Sequence, residues 1–189
     1  SGISNIAGVT PARTDADMWS VAPKDYVLYC VKYMNQWAGF YLRRGEDKIT
    51  KNGVVETVIR KGASIEKDEV CEITTNSLSE CIFPVSVTKQ DPNDATKLIP
   101  VTCNLKLTFD ANGNITVSSA TEGMTATGSG KFTVKGAKLA WGNKDRDLMT
   151  LNYSVDFGEG ITMESSDQFV AQTRGNTNGV ITFTSKYIQ

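Results

Sequence analysis

Apolar and polar residues alternate with a period of two through most of the chain after residue 25, and a helical period is nowhere sustained. The clearest case is 101–109, where Val101, Cys103, Leu105, Leu107 and Phe109 share one face and Thr102, Asn104, Lys106 and Thr108 share the other. Successive side chains of a strand point to opposite faces, so this spacing predicts a strand with one side on a core and one in water. The segment 149–157 repeats it, with Met149, Leu151, Tyr153, Val155 and Phe157 opposed by Thr150, Asn152, Ser154 and Asp156. Further strands are predicted over 26–33, 36–44, 54–60, 69–75, 81–89, 114–119, 130–135, 161–173 and 180–185.

Turn residues fall between these runs. Asn52-Gly53, Asn112-Gly113 and Asn178-Gly179 supply the positive-φ pair of a tight hairpin, and Gly158-Glu159-Gly160 marks another reversal. Neighbouring strands are therefore expected to be antiparallel. The fold class is all-β: an up-and-down, lipocalin-like β-barrel of about eight or more strands with an N-terminal arm, because closure removes the exposed edges that a β-sandwich, the alternative, has to protect. Residues 1–24 differ, mixing polarities around Pro11, Pro23, Asp15 and Asp17, and read as an arm or linker pinned to the body by Met18 and Trp19. Residues 25–189 form the barrel domain. Between Val87 and Leu98, the polar stretch 89–97 reads as a long loop.

The 189 residues suffice for one domain with a sizeable core. Twenty Lys and Arg against 21 Asp and Glu leave a net charge of -1, without the broad positive field that draws a protein to nucleic acid or anionic lipid. No nucleic-acid partner is expected. Histidine is absent, which excludes Ser-His-Asp and Cys-His nucleophiles, imidazole bases and imidazole metal sites. Of the four cysteines, Cys81 and Cys103 fall on apolar faces, and with Cys30 and Cys71 they match no zinc spacing; the leading reading is buried free thiols, with a single bridge as the alternative. No run of 18 or more apolar residues occurs, and the chain starts at Ser1-Gly2-Ile3 without a targeting segment, as a processed protein or an excised piece would.

Several short motifs invite a chemical reading. Gly128-Ser129-Gly130-Lys131 lacks the first glycine and the hydroxyl of a phosphate loop, since Thr125 and Phe132 stand there, and reads instead as small residues leaving room at a strand crossing. Asn143, Asp145 and Asp147, like Asp110, Asn112 and Asn114, begin as a calcium loop begins, but Leu148, Ser154, Ile115 and Thr121 stand where its Gly and Glu belong. Turns that use Asn and Asp for their own backbone bonds are the expectation. Glu56, Glu69, Glu72 and Glu164 could supply a carboxylate pair, but solvated strand faces explain them. No catalytic residue, metal site or cofactor is assigned. The aromatic stretch Tyr26, Tyr29, Tyr33, Trp37, Phe40 and Tyr41, with Arg43 and Arg44 after it, has the composition of a sugar site, in which rings cover a pyranose face and polar groups bond its hydroxyls. Trp141 with Asn143, Asp145 and Arg146 makes a second such set. The candidate ligand-binding residues are thus Trp37, Tyr41, Arg43, Arg44, Trp141, Asn143, Asp145 and Arg146, against the competing reading of strand packing.

The run from Tyr33-Met34-Asn35-Gln36-Trp37 to Arg43-Arg44-Gly45, then Lys67-Asp68-Glu69-Val70 and Thr74-Thr75-Asn76-Ser77-Leu78, resembles an uncharacterised family of Bacteroidetes surface lipoproteins. Gly128-Ser129-Gly130-Lys131-Phe132, Trp141 through Asp147, and Leu151-Asn152-Tyr153 are similar to that family's C-terminal domain. The resemblance covers about 25–175 and implies a lipocalin-like barrel that commonly follows an N-terminal β-sandwich, of which this chain holds no full copy. It also implies export, a lipid anchor at the outer membrane outside this sequence, and proximity to glycan-uptake machinery; the family offers no catalytic residues to carry over. The expected function is a non-enzymatic cell-surface domain that binds a glycan or other small ligand. The alternative is a structural domain that docks partner proteins in an outer-membrane complex.

Overall fold

The computed structural model describes residues 2–23 and 33–173. The predicted strands 26–33 and 180–185, the turn at Asn178-Gly179 and Cys30 lie outside the described residues. The chain divides into two compact units, Ser1–Lys32 and Tyr33–Gln189. In the first, β1 (Ile3–Ser4) pairs antiparallel with β2 (Trp19–Val21). Trp19 Nε1 donates to the Ala12 carbonyl at 3.1 Å within the same unit.

The second unit carries β3 (Gly39–Lys51), β4 (Val54–Arg60), β5 (Glu69–Thr75), β6 (Glu80–Asp91), β7 (Asp94–Phe109), β8 (Asn114–Ser119), β9 (Thr125–Ala137), β10 (Arg146–Gly158) and β11 (Ile161–Thr173). The sheet runs β11-β10-β9-β8-β7-β6-β5-β3 and closes through β11 against β3, all antiparallel, with β4 attached to β3 as an extra strand. This is a closed eight-strand barrel of lipocalin-like form. Its Asn-Gly turn at 52–53 has positive φ at both residues, 50° and 83°, as a tight hairpin requires.

Alternation explains the core. Odd-numbered residues of β10 and β11, including Met149, Leu151, Val155, Met163 and Phe169, meet Phe83, Val85, Leu105, Leu107, Ile115 and Val117 in one buried cluster to which all eight barrel strands contribute. Trp37 stacks on Phe109 with ring centroids 4.3 Å apart, and Asn35 holds that region, its Oδ1 accepting from the Trp37 and Ala38 amides and its Nδ2 donating to the Ser77 and Glu80 carbonyls. The barrel is thus filled with side chains. Gly128 and Gly130 lie against Tyr153 and Leu151, where a Cβ would stand 2.6 Å from Tyr153 Cβ and 2.5 Å from Leu151 Cδ2, so both stay bare to admit their neighbours. Cys71 and Cys103 carry free thiols, and Cys81 is buried in the core.

Several boundaries differ from the sequence expectation: the strand predicted over 36–44 starts at Gly39, that over 130–135 runs Thr125–Ala137, and that over 149–157 runs Arg146–Gly158. The stretch 89–97 is not a long loop: β6 extends to Asp91 and β7 starts at Asp94, with only a tight turn between them. Its residues are polar because this hairpin projects past the core. β3 also continues beyond Arg44 to Lys51; of its inward positions there, Gly45 and Asp47 serve a charged cluster and Ile49 packs against the apolar core.

β3 is flanked on one side by two separate strands. β4 pairs with 45–51 and β5 with 39–43, so the two lie end to end along β3, and 61–68 leaves the sheet between them. Asp68 secures that excursion: its carboxylate accepts from Arg44 Nε at 2.6 Å and from the Gly62 amide at 2.9 Å.

Candidate functional site

Two features carry polar chemistry, one inside the barrel wall and one on its outer face. Inside, Asp167 of β11 is the hub. Its Oδ2 accepts from Arg43 Nε at 3.0 Å, Arg43 Nη2 at 2.9 Å, the Tyr153 hydroxyl at 2.8 Å and the Ser165 hydroxyl at 3.1 Å. Its Oδ1 accepts from Arg60 Nη2 at 2.5 Å. Arg60 also pairs with Asp47 through Nη1, and Arg43 Nη2 donates to Tyr153 at 3.0 Å. Strand register explains how a residue of β4 reaches β11: Arg60, Gly45 and Asp167 form one cross-strand row, and the missing Cβ of Gly45 leaves room for the Asp167 carboxylate, which Arg60 Nη2 meets there. The Arg43 guanidinium also lies over the ring of Phe83 at 5.0 Å from its centroid.

The electrostatics follow from burial among opposite charges. Burial alone would lower the Arg43 pKa, but Tyr153 and Asp167 beside it hold it above its ordinary value. Burial pushes the Tyr153 phenol up, and pushes the Cys71 thiol up to about 12. Asp167, with no exposed side-chain surface, is therefore surrounded by donors that keep their protons. Within this cluster, Asp47 Oδ1 and Arg60 Nε are buried and find no hydrogen-bond partner among the described residues.

Outside, the sheet curls to form an open groove of about 900 Å³ across β9, β10, β11, β3 and β4. Its floor consists of outward positions aligned by register. One row is Thr127, Ser154, Glu164 and Lys48; the next is Asn152, Ser166, Glu46 and Ile59; Gln168 and Arg44 follow. Acidic and basic groups alternate across it, and Arg44 is already bonded to Asp68. Hydroxyl, amide and paired charged groups thus face solvent from strands whose spacing is fixed by backbone bonds, and no Trp or Phe lines the groove.

The first set of sequence candidates is divided by strand alternation. Trp37 and Tyr41 are core residues, 8% and 1% exposed, with the Tyr41 hydroxyl donating to the Trp37 carbonyl at 2.5 Å. Arg43 turns inward to Asp167, whereas Arg44 turns outward to the groove. The second set stays together in the connection between β9 and β10. The Arg146 guanidinium lies 4.7 Å from the Trp141 ring centroid and its Nε donates to the Trp141 carbonyl, while Asp145 accepts from Lys138 Nζ and the Leu139 amide, which together hold its carboxyl below the usual range. Asn143 donates its amide to the Ala140 carbonyl in a 3-10 turn. Trp141 packs on a small cluster formed by Leu42, Ala140 and Val170 on the outside of the barrel.

Asp110 behaves as the turn reading expects, accepting from the Asn112 and Asn114 amides at 2.8 Å each. Sequence reasoning passed over Asp47, Arg60, Asp167 and, apart from Glu164, the groove residues of β10 and β11. For Asp47 and Asp167 a signal exists: each occupies the phase of its strand that is otherwise buried. For Asn152, Ser154, Ser166 and Gln168 there is none, because polar outward residues are what any half-solvated strand carries.

A family described as a domain of unknown function (DUF5627) matches residues 36–175. A structural-genomics protein of unknown function from Bacteroides ovatus superimposes with a TM-score of 0.71 at 35% identity, over 93% of this chain and 53% of that one. The chain thus spans about half the length of that protein. No curated protein matches the chain. Neither the family nor the solved structure indicates an enzyme.

Proposed function

The chain belongs to the DUF5627 family of domains of unknown function, and from that premise we propose that it is a non-enzymatic binding domain whose ligand, a neutral or weakly charged glycan, lies in the groove on the outer wall of the barrel. The groove itself is the observation that carries this reading. Its volume, about 900 Å³, falls within the range of small-ligand sites, and its rows of hydroxyl, amide and balanced charged groups offer both donors and acceptors to a polyhydroxylated molecule. Ile59 supplies an apolar surface on the β4 side. A barrel axis occupied by core side chains favours recognition outside the barrel over recognition within it. The relation to a Bacteroides protein is in keeping with a cell-surface, lipid-anchored setting, which forms part of the same proposal.

A glycan-array screen of the chain, repeated with Asn152→Ala and Ser166→Ala, tests it. Both side chains face solvent, so the variants are expected to fold normally and to lose binding; an array without hits, or hits unaffected by both substitutions, rejects the groove.

A second reading, a scaffold domain that docks partner proteins in an outer-membrane complex, draws on β4. That strand has β3 as its partner among the described residues, and it exposes Val54 (71%), Val55 (61%) and Ile59 (70%) beside an unpaired edge.

A further inference from the structure

Among the described residues, the closed barrel has a weakly joined seam between β5 and β6. β5 is joined to β6 only through Thr74 with Ile82 and Thr75 with Cys81, although it continues along β3 back to Glu69. Glu69 and Cys71 stand opposite Arg43 and Tyr41, both buried, and so share the inward face of β3. The Glu69 side chain is nevertheless 50% exposed, and among the described residues no strand pairs with β5 beside it on the β6 side.

Behind Glu69 lie two guanidinium groups. Its Oε2 is 3.8 Å from both Arg43 Nη1 and Arg60 Nε, too far for a hydrogen bond to either. Arg60 Nε is sealed from solvent with no acceptor, and the Arg43 side chain is nine-tenths buried. Two underused N–H donors therefore converge on one point at the seam, and the chain's own carboxylate occupies that point loosely.

Formal charge selects the class of ligand. The two guanidinium groups are already matched by Asp47 and Asp167. Burial keeps the Cys71 thiol protonated, so it adds nothing. A newcomer that replaces Glu69 leaves the balance unchanged if it carries a single negative charge and two acceptor oxygens; a phosphate dianion brings an extra charge into a partly desolvated place. We propose that Arg43 and Arg60, at the seam between β5 and β6, form a binding site for the carboxylate of a small organic monoacid, with Glu69 as the built-in occupant that the ligand displaces. Arg60 also borders the outer groove, but Arg43 and Glu69 do not line it, and the site stands whether or not that groove binds a glycan.

The test is a titration of the full chain with formate and acetate at constant ionic strength, read from the arginine Nε–Hε resonances, in the wild type and in Glu69→Gln and Glu69→Ala. Removing the competing charge is expected to give saturable shifts at Arg43 and Arg60, at roughly tenfold lower carboxylate concentration than in the wild type, with Arg44 unmoved. Equal responses in all three proteins, or none at Arg43 and Arg60 in either variant, overturn the proposal. Inorganic phosphate binding as tightly as acetate overturns the assignment to monocarboxylates.

Discussion

Gly45 of β3 and Asp167 of β11 face each other in register, and a Cβ on Gly45 would run into both the Asp167 carboxylate and the Ser166 carbonyl. The missing Cβ leaves room for the Asp167 carboxylate beside β3, where Arg60 of β4 bonds it. Gly45→Ala should therefore destabilise the fold by about 3 kcal/mol, the upper end of the range for overpacking, because one obstacle is backbone and cannot turn aside. Urea denaturation measures this. A change near zero would mean that the Asp167 carboxylate does not depend on the missing Cβ.

Asp167 accepts five hydrogen bonds from four side chains, two of them guanidinium groups. Asp167→Asn keeps the volume but leaves the buried Arg43 short of a counter-charge, a loss expected to cost about 3–5 kcal/mol. Lys138→Ala removes the partner of Asp145 in a pair whose lysine is 71% exposed, and should leave the melting temperature unchanged within error. Thermal scans of the two variants side by side check the contrast.

The barrel was legible because most strands obey alternation. The segments 54–60, 69–75, 114–119 and 161–173 have the bounds that the sequence predicts. Alternation fails where chemistry replaces packing. On β3 the inward positions after Arg43 are Gly45 and Asp47 before Ile49 returns to the core, so the middle of the strand has no apolar face to read. Aromatic composition pointed to Trp37 and Tyr41, but the same residues make the best core, and here Trp37 lies against Phe109. The outer groove arises from the curl of the sheet, to which a list of outward Ser, Asn and Glu residues carries no clue.

Burial raises the Cys71 thiol from its ordinary 9.0 to about 12, and raises the Tyr153 phenol as well. The folded state therefore holds both protons at a pH where the unfolded chain releases them. Stability is fully present below the ordinary thiol value and falls as pH rises from there toward about 12. Denaturation midpoints across this alkaline range should decline, and less steeply in Cys71→Ala. Site-resolved alkylation should also find Cys71 slower than the same residue in the unfolded chain; equal rates would show the thiol to be accessible and unshifted.

The exposed edge of β4 predicts a different phenotype. Val55, 61% exposed, contributes little to folding, so Val55→Lys should change stability by no more than about 0.5 kcal/mol while reducing strand-edge association. Sedimentation velocity of the variant and the wild type at high concentration makes the comparison. Greater self-association in the variant would contradict the edge as the adhesive element.

The most direct test of recognition on the outer wall is amide chemical-shift mapping with an oligosaccharide found by the array screen. Shifts are expected at Lys48, Asn152, Ser154, Glu164 and Ser166, which share the two central rows of the groove. Shifts confined to the barrel ends, or to Trp141 and its loop, would contradict it.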